Sequence, residues 1–325
     1  MSDFQIPHKT KRPSHILVGE FFERNKEQLK MRLLNSDKGF ARKILEPSVN
    51  RPGLALADFF SYFAYKRVQV VGNSEVSYLH SLEPKVCEER FTKLCSWEIP
   101  CLVVAREKKL PQELLRIADE AGISVFQTSM VTMKFLNAAT IRLDWSFAPT
   151  TTMHGCLVDV QGVGVLIMGP SGSGKSESVL GLLERGASMV ADDLILFRLI
   201  EEREVQGSAP EVGRAMMEVR GLGLLNVAAL FGVGSVRLQK RLDLVIRLIP
   251  NANLADLERF DASMHSVEIL GMPVALLQVP VVPGRDLAGL IEIAALNYKL
   301  RTFGYNGAVE FNQRLLQKMA DDQLG

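Results

Sequence analysis

A chain of 325 residues, 47% hydrophobic and 23% charged, has the makeup of an ordinary globular protein of about two domains. Its net charge of +1 divides into 22 basic against 17 acidic residues over 1–148 and 16 against 20 over 149–325, or +5 and −4. Neither half carries the clustered basic face of a nucleic-acid binder, and no apolar run reaches the ~18 residues of a membrane span.

Residues 1–12 are polar rather than signal-like, so a cytoplasmic protein without membrane contact is expected. Lys9-Thr10-Lys11-Arg12 reads as a solvated tail. Cys87, Cys95, Cys101 and Cys156 lack both C-x-x-C spacing and a paired histidine cluster. They are expected to be reduced, partly buried thiols rather than zinc ligands.

The first half predicts a small α/β unit. Residues 20–34 have helical periodicity, 67–72 form a strand running into a Gly-Asn turn, and 74–82 form a helix with Val76, Leu79 and Leu82 on one side. A buried strand over 101–105 precedes a helix that Pro111 opens and Gly122 ends. A strand at 123–126 and a helix at 129–142 follow. This alternation implies a partly parallel sheet. No phosphate loop or catalytic constellation occurs here, and the role of this half is not legible.

Composition shifts at 144–152, where Pro149 and three threonines suggest a linker. A strand over 157–161 turns tightly at Gly162 into the apolar run 163–168, so the strand that feeds the next loop has a hairpin partner. That loop is Gly169-Pro170-Ser171-Gly172-Ser173-Gly174-Lys175-Ser176, which fits G-x-x-x-x-G-K-[ST]. In such a loop backbone N–H groups converge on phosphates, and glycine keeps Cβ atoms out of their way. Lys175 would reach the β- and γ-phosphates and Ser176 would ligate Mg²⁺. The helix over 176–185, ending at Gly186, completes the strand–loop–helix context and adds its N-terminal attraction for anions.

A strand over 187–191 ends in Asp192-Asp193, with 194–197 running on. Two adjacent carboxylates there are costly unless a cation or proton chemistry uses them, or else they form an exposed turn. Residues 219–227 are glycine-studded but lack the third glycine and preceding strand of a dinucleotide fingerprint. Strands at 242–248 and 274–282, and helices over 287–301 and 309–319, complete the chain. The helix over 287–301 sets Leu290, Ile291, Ala294, Ala295 and Tyr298 on one face, for the core or a neighbouring subunit.

A phosphate loop alone admits an NTPase, a nucleotide kinase or a switch. Asp193 as a base, Glu218 as a second metal carboxylate, His154 beside the nucleotide strand, and Arg259 and Arg285 downstream suit phosphoryl transfer to a hydroxyl. Taken singly, His154 reads equally as a structural hydrogen-bonder, and the arginines as surface ion pairs.

The loop 169–176, Val190-Ala191-Asp192-Asp193, the run MEVRGLGLLN at 217–226 and PVVPGR at 280–285 together resemble the bacterial HPr kinase/phosphorylase family. RVQVVGNSEVSYLHSL at 67–82, residues 99–105 and Gly304-Tyr305-Asn306 extend the resemblance over nearly the whole chain. It implies an α/β fold with an N-terminal domain over 1–148 and a catalytic P-loop kinase domain over 149–325, similar to phosphoenolpyruvate carboxykinase around the nucleotide. It also implies a homohexamer that uses ATP to phosphorylate a regulatory serine of the phosphocarrier HPr. The reverse task would be phosphorolysis of that phosphoserine by inorganic phosphate, giving pyrophosphate. Carried over, the active-site residues are His154, Lys175, Asp193 and Arg259, with Gly169 to Ser176 for ATP and Ser176 and Glu218 for Mg²⁺. Pro280, Val281, Val282, Pro283, Gly284 and Arg285 would serve the dephosphorylating reaction. A carboxykinase-like enzyme acting on a small molecule, and an ATP-binding regulator that transfers nothing, stand as alternatives.

Overall fold

A computed structural model describes residues 10–250, 265–305 and 310. The chain divides between Arg12–Ala148 and a unit from Pro149 onward, to which Lys11 also belongs. Lys11 is not a free tail: its backbone exchanges two 2.8 Å hydrogen bonds with Thr150.

In Arg12–Ala148 the strands β1 (Met31–Leu33), β2 (Val49–Asn50), β3 (Val68–Val71), β4 (Cys101–Val104) and β5 (Ser124–Thr128) form a sheet ordered β1-β5-β4-β3-β2. Only the β1–β5 pair is antiparallel. The longer helices are α1 (Val18–Asn25), α2 (Asn73–Ser81), α3 (Pro84–Cys95), α4 (Gln112–Glu120) and α5 (Thr132–Phe147). Phe21, Phe135 and Leu143 of α1 and α5 pack against Val70, Val103 and Phe126 on one face. Val76, Phe91, Leu94 and Leu114 of α2, α3 and α4 pack against Val71, Leu102 and Val125 on the other. Both faces are thus covered, which is why every residue of β3, β4 and β5 is buried and β4 reads as a continuous apolar run rather than an alternating one. Each large side chain buried this way stabilises the unit by about 1.5–3 kcal/mol.

Two expectations are corrected here. The helix expected over 20–34 stops at Asn25, whose side-chain amide donates to the Phe21 carbonyl at 2.8 Å. Lys30 then takes φ +49, and Met31–Leu33 joins the sheet edge instead of continuing the helix. The linker expected at 144–152 is occupied by regular structure, because α5 runs to Phe147 and a strand starts at Thr150.

The second unit contains β6 (Thr150–His154), β7 (Cys156–Val160), β8 (Val163–Met168), α6 (Lys175–Glu184), β9 (Ser188–Ala191), β10 (Leu194–Ile200) and β11 (Glu204–Ser208). After them come β12 (Met216–Val219), β13 (Gly223–Asn226), α7 (Val227–Phe231), β14 (Gln239–Arg241), β15 (Leu244–Ile249), β16 (His265–Ile269), β17 (Met272–Pro280) and α8 (Leu287–Thr302). One sheet is ordered β9-β7-β8-β15-β17-β16 and a second β14-β11-β10-β6, while β12 and β13 pair separately. Gln161 and Gly162, at φ +52 and +92, make the two-residue turn between β7 and β8. Positive φ at both positions matches the twist of the paired strands.

The six-stranded sheet is a filling between two layers. Val165 and Ile167 face α6 and α8 through Val179, Leu182, Ile291 and Ala295. Leu166, between them in sequence, faces the four-stranded sheet through Ile195, Phe197 and Val205. The segments 187–191 and 194–197, expected to run on from one another, lie in different sheets, and Asp192-Asp193 makes the corner. Strands β8, β15 and β17 are parallel neighbours, so their carboxyl ends share one sheet edge. Ligands of α/β sheets commonly bind at such an edge. Among the described residues no helix is long and apolar enough to cross a membrane. The expected helix over 309–319 falls outside the described residues except at Glu310.

Candidate active site

The chain leaves β8 at Met168, turns through residues 169–174 and enters α6 at Lys175. A Cβ on Gly169 would stand 2.6 Å from Ser173 Oγ and 3.1 Å from Leu248 Cβ, so the loop lies flush against its neighbour strand. Gly174 takes φ +87 directly before the helix, a conformation that costs glycine little. The concavity therefore opens toward the first turn of α6, where backbone N–H groups lack intrahelical acceptors. The Lys175 ammonium donates to the carbonyls of Gly169 at 2.9 Å and Pro170 at 3.0 Å, which leaves one of its three protons uncommitted.

Carboxylates face the loop from two directions. The corner after β9 projects Asp192 and Asp193, the latter at φ +62, a strained backbone for a residue with a side chain. Asp193 Oδ1 lies 3.6 Å from Nδ1 of His154, which ends β6, and both side chains are more than four-fifths exposed. The corner is fixed by its backbone: Gly155 N–H donates to the Asp193 carbonyl at 3.0 Å. Asp192 turns inward, accepting from the Cys156 thiol at 2.9 Å and from the Glu218 amide at 3.1 Å. Burial, reinforced by the Asp192 carboxylate, pushes the Cys156 thiol well above its ordinary pKa.

Glu218 belongs to the β12–β13 hairpin, where the alternation of MEVR decides the facing. Met217 and Val219 enter the core, leaving Glu218 and Arg220 on the outer side. Arg220 Nη2 donates to Ser171 Oγ at 2.8 Å. Ser171, Gly172, Gly174, Lys175, Ser176, Glu177, Asp192, Asp193, Glu218, Arg220 and Cys156 surround one cavity of about 260 Å³.

This donor set fits a magnesium nucleotide. The cradle rejects a Cβ at Gly169, and the buried Ser173 hydroxyl inside it has no hydrogen-bond partner among the described residues. The hydroxyl of Ser176 and the carboxylates of Asp192, Asp193 and Glu218 are hard oxygen donors. Among the described residues no three His, Cys, Asp or Glu side chains converge as a metal cage. Hard oxygen donors of this kind are what Mg²⁺ takes, one or two from protein together with substrate phosphates.

The model of the HPr Serine kinase C-terminal domain matches residues 145–315, and that of the HPr Serine kinase N terminus matches 16–143. The chain belongs to the HPr kinase/phosphorylase family. The HPr kinase/phosphorylase of Chloroherpeton thalassium is 41% identical over 94% of this chain and 90% of its own length. That of Alkaliphilus metalliredigens is 40% identical over 92% and 97%. The solved Hpr(Ser) kinase/phosphatase from Coxiella burnetii is 33% identical, covering 49% of this chain and 97% of that one at a TM-score of 0.44.

For this member of the family, the cavity brings together the glycine loop, Lys175, Ser176, Asp193 and Glu218, with His154 beside Asp193. The 280–285 segment follows β17 at the same sheet edge. Val281 N–H donates to the Ile249 carbonyl at 2.9 Å, while the Arg285 side chain is exposed and does not line the cavity. Arg259 lies outside the described residues. Four cavity-lining residues had no role assigned from the sequence: Cys156, Glu177, Asp192 and Arg220. The period-two alternation of Met217 to Arg220 was the signal available for Arg220.

Proposed function

We infer that this chain is a bifunctional protein-serine kinase and phosphorylase. It would use ATP to phosphorylate a serine of HPr, and inorganic phosphate to remove that phosphoryl group as pyrophosphate. The observation carrying this reading is the single cavity in which the glycine loop, Lys175, Asp193 and Glu218 meet. We further propose that residues 149–325 form a P-loop kinase domain similar around the nucleotide to phosphoenolpyruvate carboxykinase, in a cytoplasmic homohexamer. The antiparallel hairpin β7–β8 ahead of the loop supports that likeness.

In the forward direction the loop amides and Lys175 hold the phosphates, while Asp193 accepts the seryl proton as that oxygen attacks the γ-phosphorus. His154, 3.6 Å away, orients the carboxylate. Mg²⁺ held by Ser176 and Glu218 would neutralise charge on the phosphates. In reverse, phosphate in the same cradle attacks the phosphoserine, and protonated Asp193 returns its proton to the leaving seryl oxygen. Arg259 would act as an active-site residue, and the segment from Pro280 to Arg285, which follows β17 at the shared sheet edge, would serve the dephosphorylating reaction. Incubation with purified HPr, ATP and Mg²⁺ should label HPr, and added phosphate should then release pyrophosphate. Unlabelled HPr would sink the reading in favour of a small-molecule kinase or a non-catalytic regulator.

A further inference from the structure

Three parts of the second unit meet at the start of α8. Leu287 Cδ1 stands 3.3 Å from where a Cβ on Gly174 of the glycine loop would lie. Ala288 Cβ stands 2.7 Å from where one on Gly181 of α6 would lie. Directly before these residues comes the turn from Val282 to Arg285. Arg285 N–H closes it on the Val282 carbonyl at 3.2 Å, with Pro283 and Gly284 (φ +80) at its centre, the residues of a type II turn. On its entry side Val281 N–H is held to Ile249 of β15 at 2.9 Å.

The exit side is held by Arg185, which ends α6 and does not line the cavity. Its Nη2 donates to Asp286 Oδ2 at 2.8 Å, and its Nη1 donates to the Gly181 carbonyl of its own helix at 2.8 Å. Its Nε lies 3.6 Å from Glu292 Oε2 of α8. Asp286 is in turn the N-cap of α8, accepting from Gly289 N–H at 2.9 Å through Oδ1. The Arg185 and Asp286 side chains are 37% and 61% exposed, and an exposed ion pair adds little to global stability. A planar guanidinium with all three nitrogens engaged fixes direction instead. It joins the residue after Arg285 to the helix whose first turn is the phosphate cradle.

The two reactions do not depend equally on that join. ATP is placed by its nucleoside and a chain of phosphates. Inorganic phosphate has no such handle and must be aligned with the phosphoserine by the walls of the site, where lost positioning slows a reaction most. We propose that Arg185 is a positioning residue for phosphorolysis, gripping Asp286 so that the 282–285 turn stays seated beside the glycine loop. This rests on the kinase/phosphorylase reading. In the step it serves, an oxygen of inorganic phosphate bonds to the phosphoserine phosphorus as the bond from that phosphorus to the seryl oxygen breaks. The electron pair goes to the seryl oxygen, which takes the proton of Asp193, and pyrophosphate departs. Arg185 exchanges nothing.

Arg185→Gln, and Asp286→Asn, which keeps a good N-cap residue, should fold with an unchanged Tm. Pyrophosphate release from phosphoseryl-HPr should fall about 10-fold in kcat/KM in each variant, within the ~10²-fold that a misplaced group can cost. ATP-dependent labelling of HPr should stay within about twofold of the wild type. The double variant should be no slower than either single one, since both remove the same contact. Arg185→Lys should fall between the wild type and Arg185→Gln, because an ammonium reaches Asp286 but not all three acceptors. Hydrogen exchange needs no HPr: the amides of Arg285 and Gly289 should exchange faster in Arg185→Gln, with those of α6 unchanged. Wild-type phosphorolysis in Arg185→Gln, an equal fall in both reactions, additive loss in the double variant, or unchanged exchange would each overturn the proposal. A wild type that itself releases no pyrophosphate sinks the underlying reading instead, and the exchange measurement still decides whether Arg185 holds the turn.

Discussion

The backbone amide of Glu218 donates to Oδ2 of Asp192 at 3.1 Å, while Oδ1 of the same carboxylate takes the Cys156 thiol at 2.9 Å. One side chain thereby ties β7, the corner after β9 and the β12–β13 hairpin together beneath the cavity. Asp192→Ala should cost about 1–3 kcal/mol of stability, the scale of its two hydrogen bonds. It should also raise the Mg²⁺ concentration needed for half-maximal activity. Asp192→Asn, which can still accept from the amide, should shift both less. Titration of activity with Mg²⁺ beside thermal melts checks the pair, and equal behaviour of the two variants would contradict a positioning role.

Asp193 is exposed and backbone-strained, so its two properties can be separated. Asp193→Asn keeps a residue type tolerant of left-handed backbone and should reduce phosphorylation and phosphorolysis together, by about 10²–10⁴-fold. Asp193→Gly should be as inactive yet more stable by about 1 kcal/mol, since glycine relieves the φ +62 strain. Loss of the kinase reaction alone would refute a shared carboxylate.

Gly169→Ala places its methyl 2.6 Å from Ser173 Oγ and 3.2 Å from the Leu248 carbonyl, and the strand cannot yield as a side chain does. Nucleotide binding should fall sharply. Gly186→Ala is the control, with open space around the new Cβ but φ +86. It should cost about 1 kcal/mol and leave nucleotide affinity intact. Fluorescent-nucleotide titration and chemical denaturation read the two effects.

In the Arg12–Ala148 unit, Glu75 is 5% exposed. Burial works to raise its pKa, but the Arg51 guanidinium and the Gly72 amide, which Glu75 accepts at 2.9 Å, outweigh burial and lower it. A lowered folded-state pKa stabilises above the unfolded value of about 4.3 and is lost as pH falls through the folded value. Denaturation midpoints should therefore drop more steeply below pH 5 in the wild type than in Glu75→Gln. Parallel slopes would count against the Arg51 pairing.

Much of the fold was legible because burial on both faces leaves a plain mark. Cys101–Val104 and Val163–Met168 are apolar throughout, Val68–Val71 is apolar but for Gln69, and each is a central strand. The helix over 287–301 likewise announced Ile291 and Ala295, which are fully buried. Residues 20–34 misled because Phe22, Leu29 and Leu33 fall at helical spacing, while Leu29, Met31 and Leu33 also fit the alternation of a strand. Only the sheet edge offered by β5 selects the strand.

The amino-acid order by itself determined the glycine loop, the acidic pair and the helix that follows the loop. Those depend on neighbours in the chain: glycine where φ turns positive, Lys175 at the helix start, apolar runs on either side. Tertiary structure alone decided that Asp192 faces inward while Asp193 faces His154, and that Arg220 reaches Ser171 across 49 positions. Contacts between residues so far apart in sequence arise from sheet order and hairpin facing, which packing of the whole core sets and no local pattern encodes.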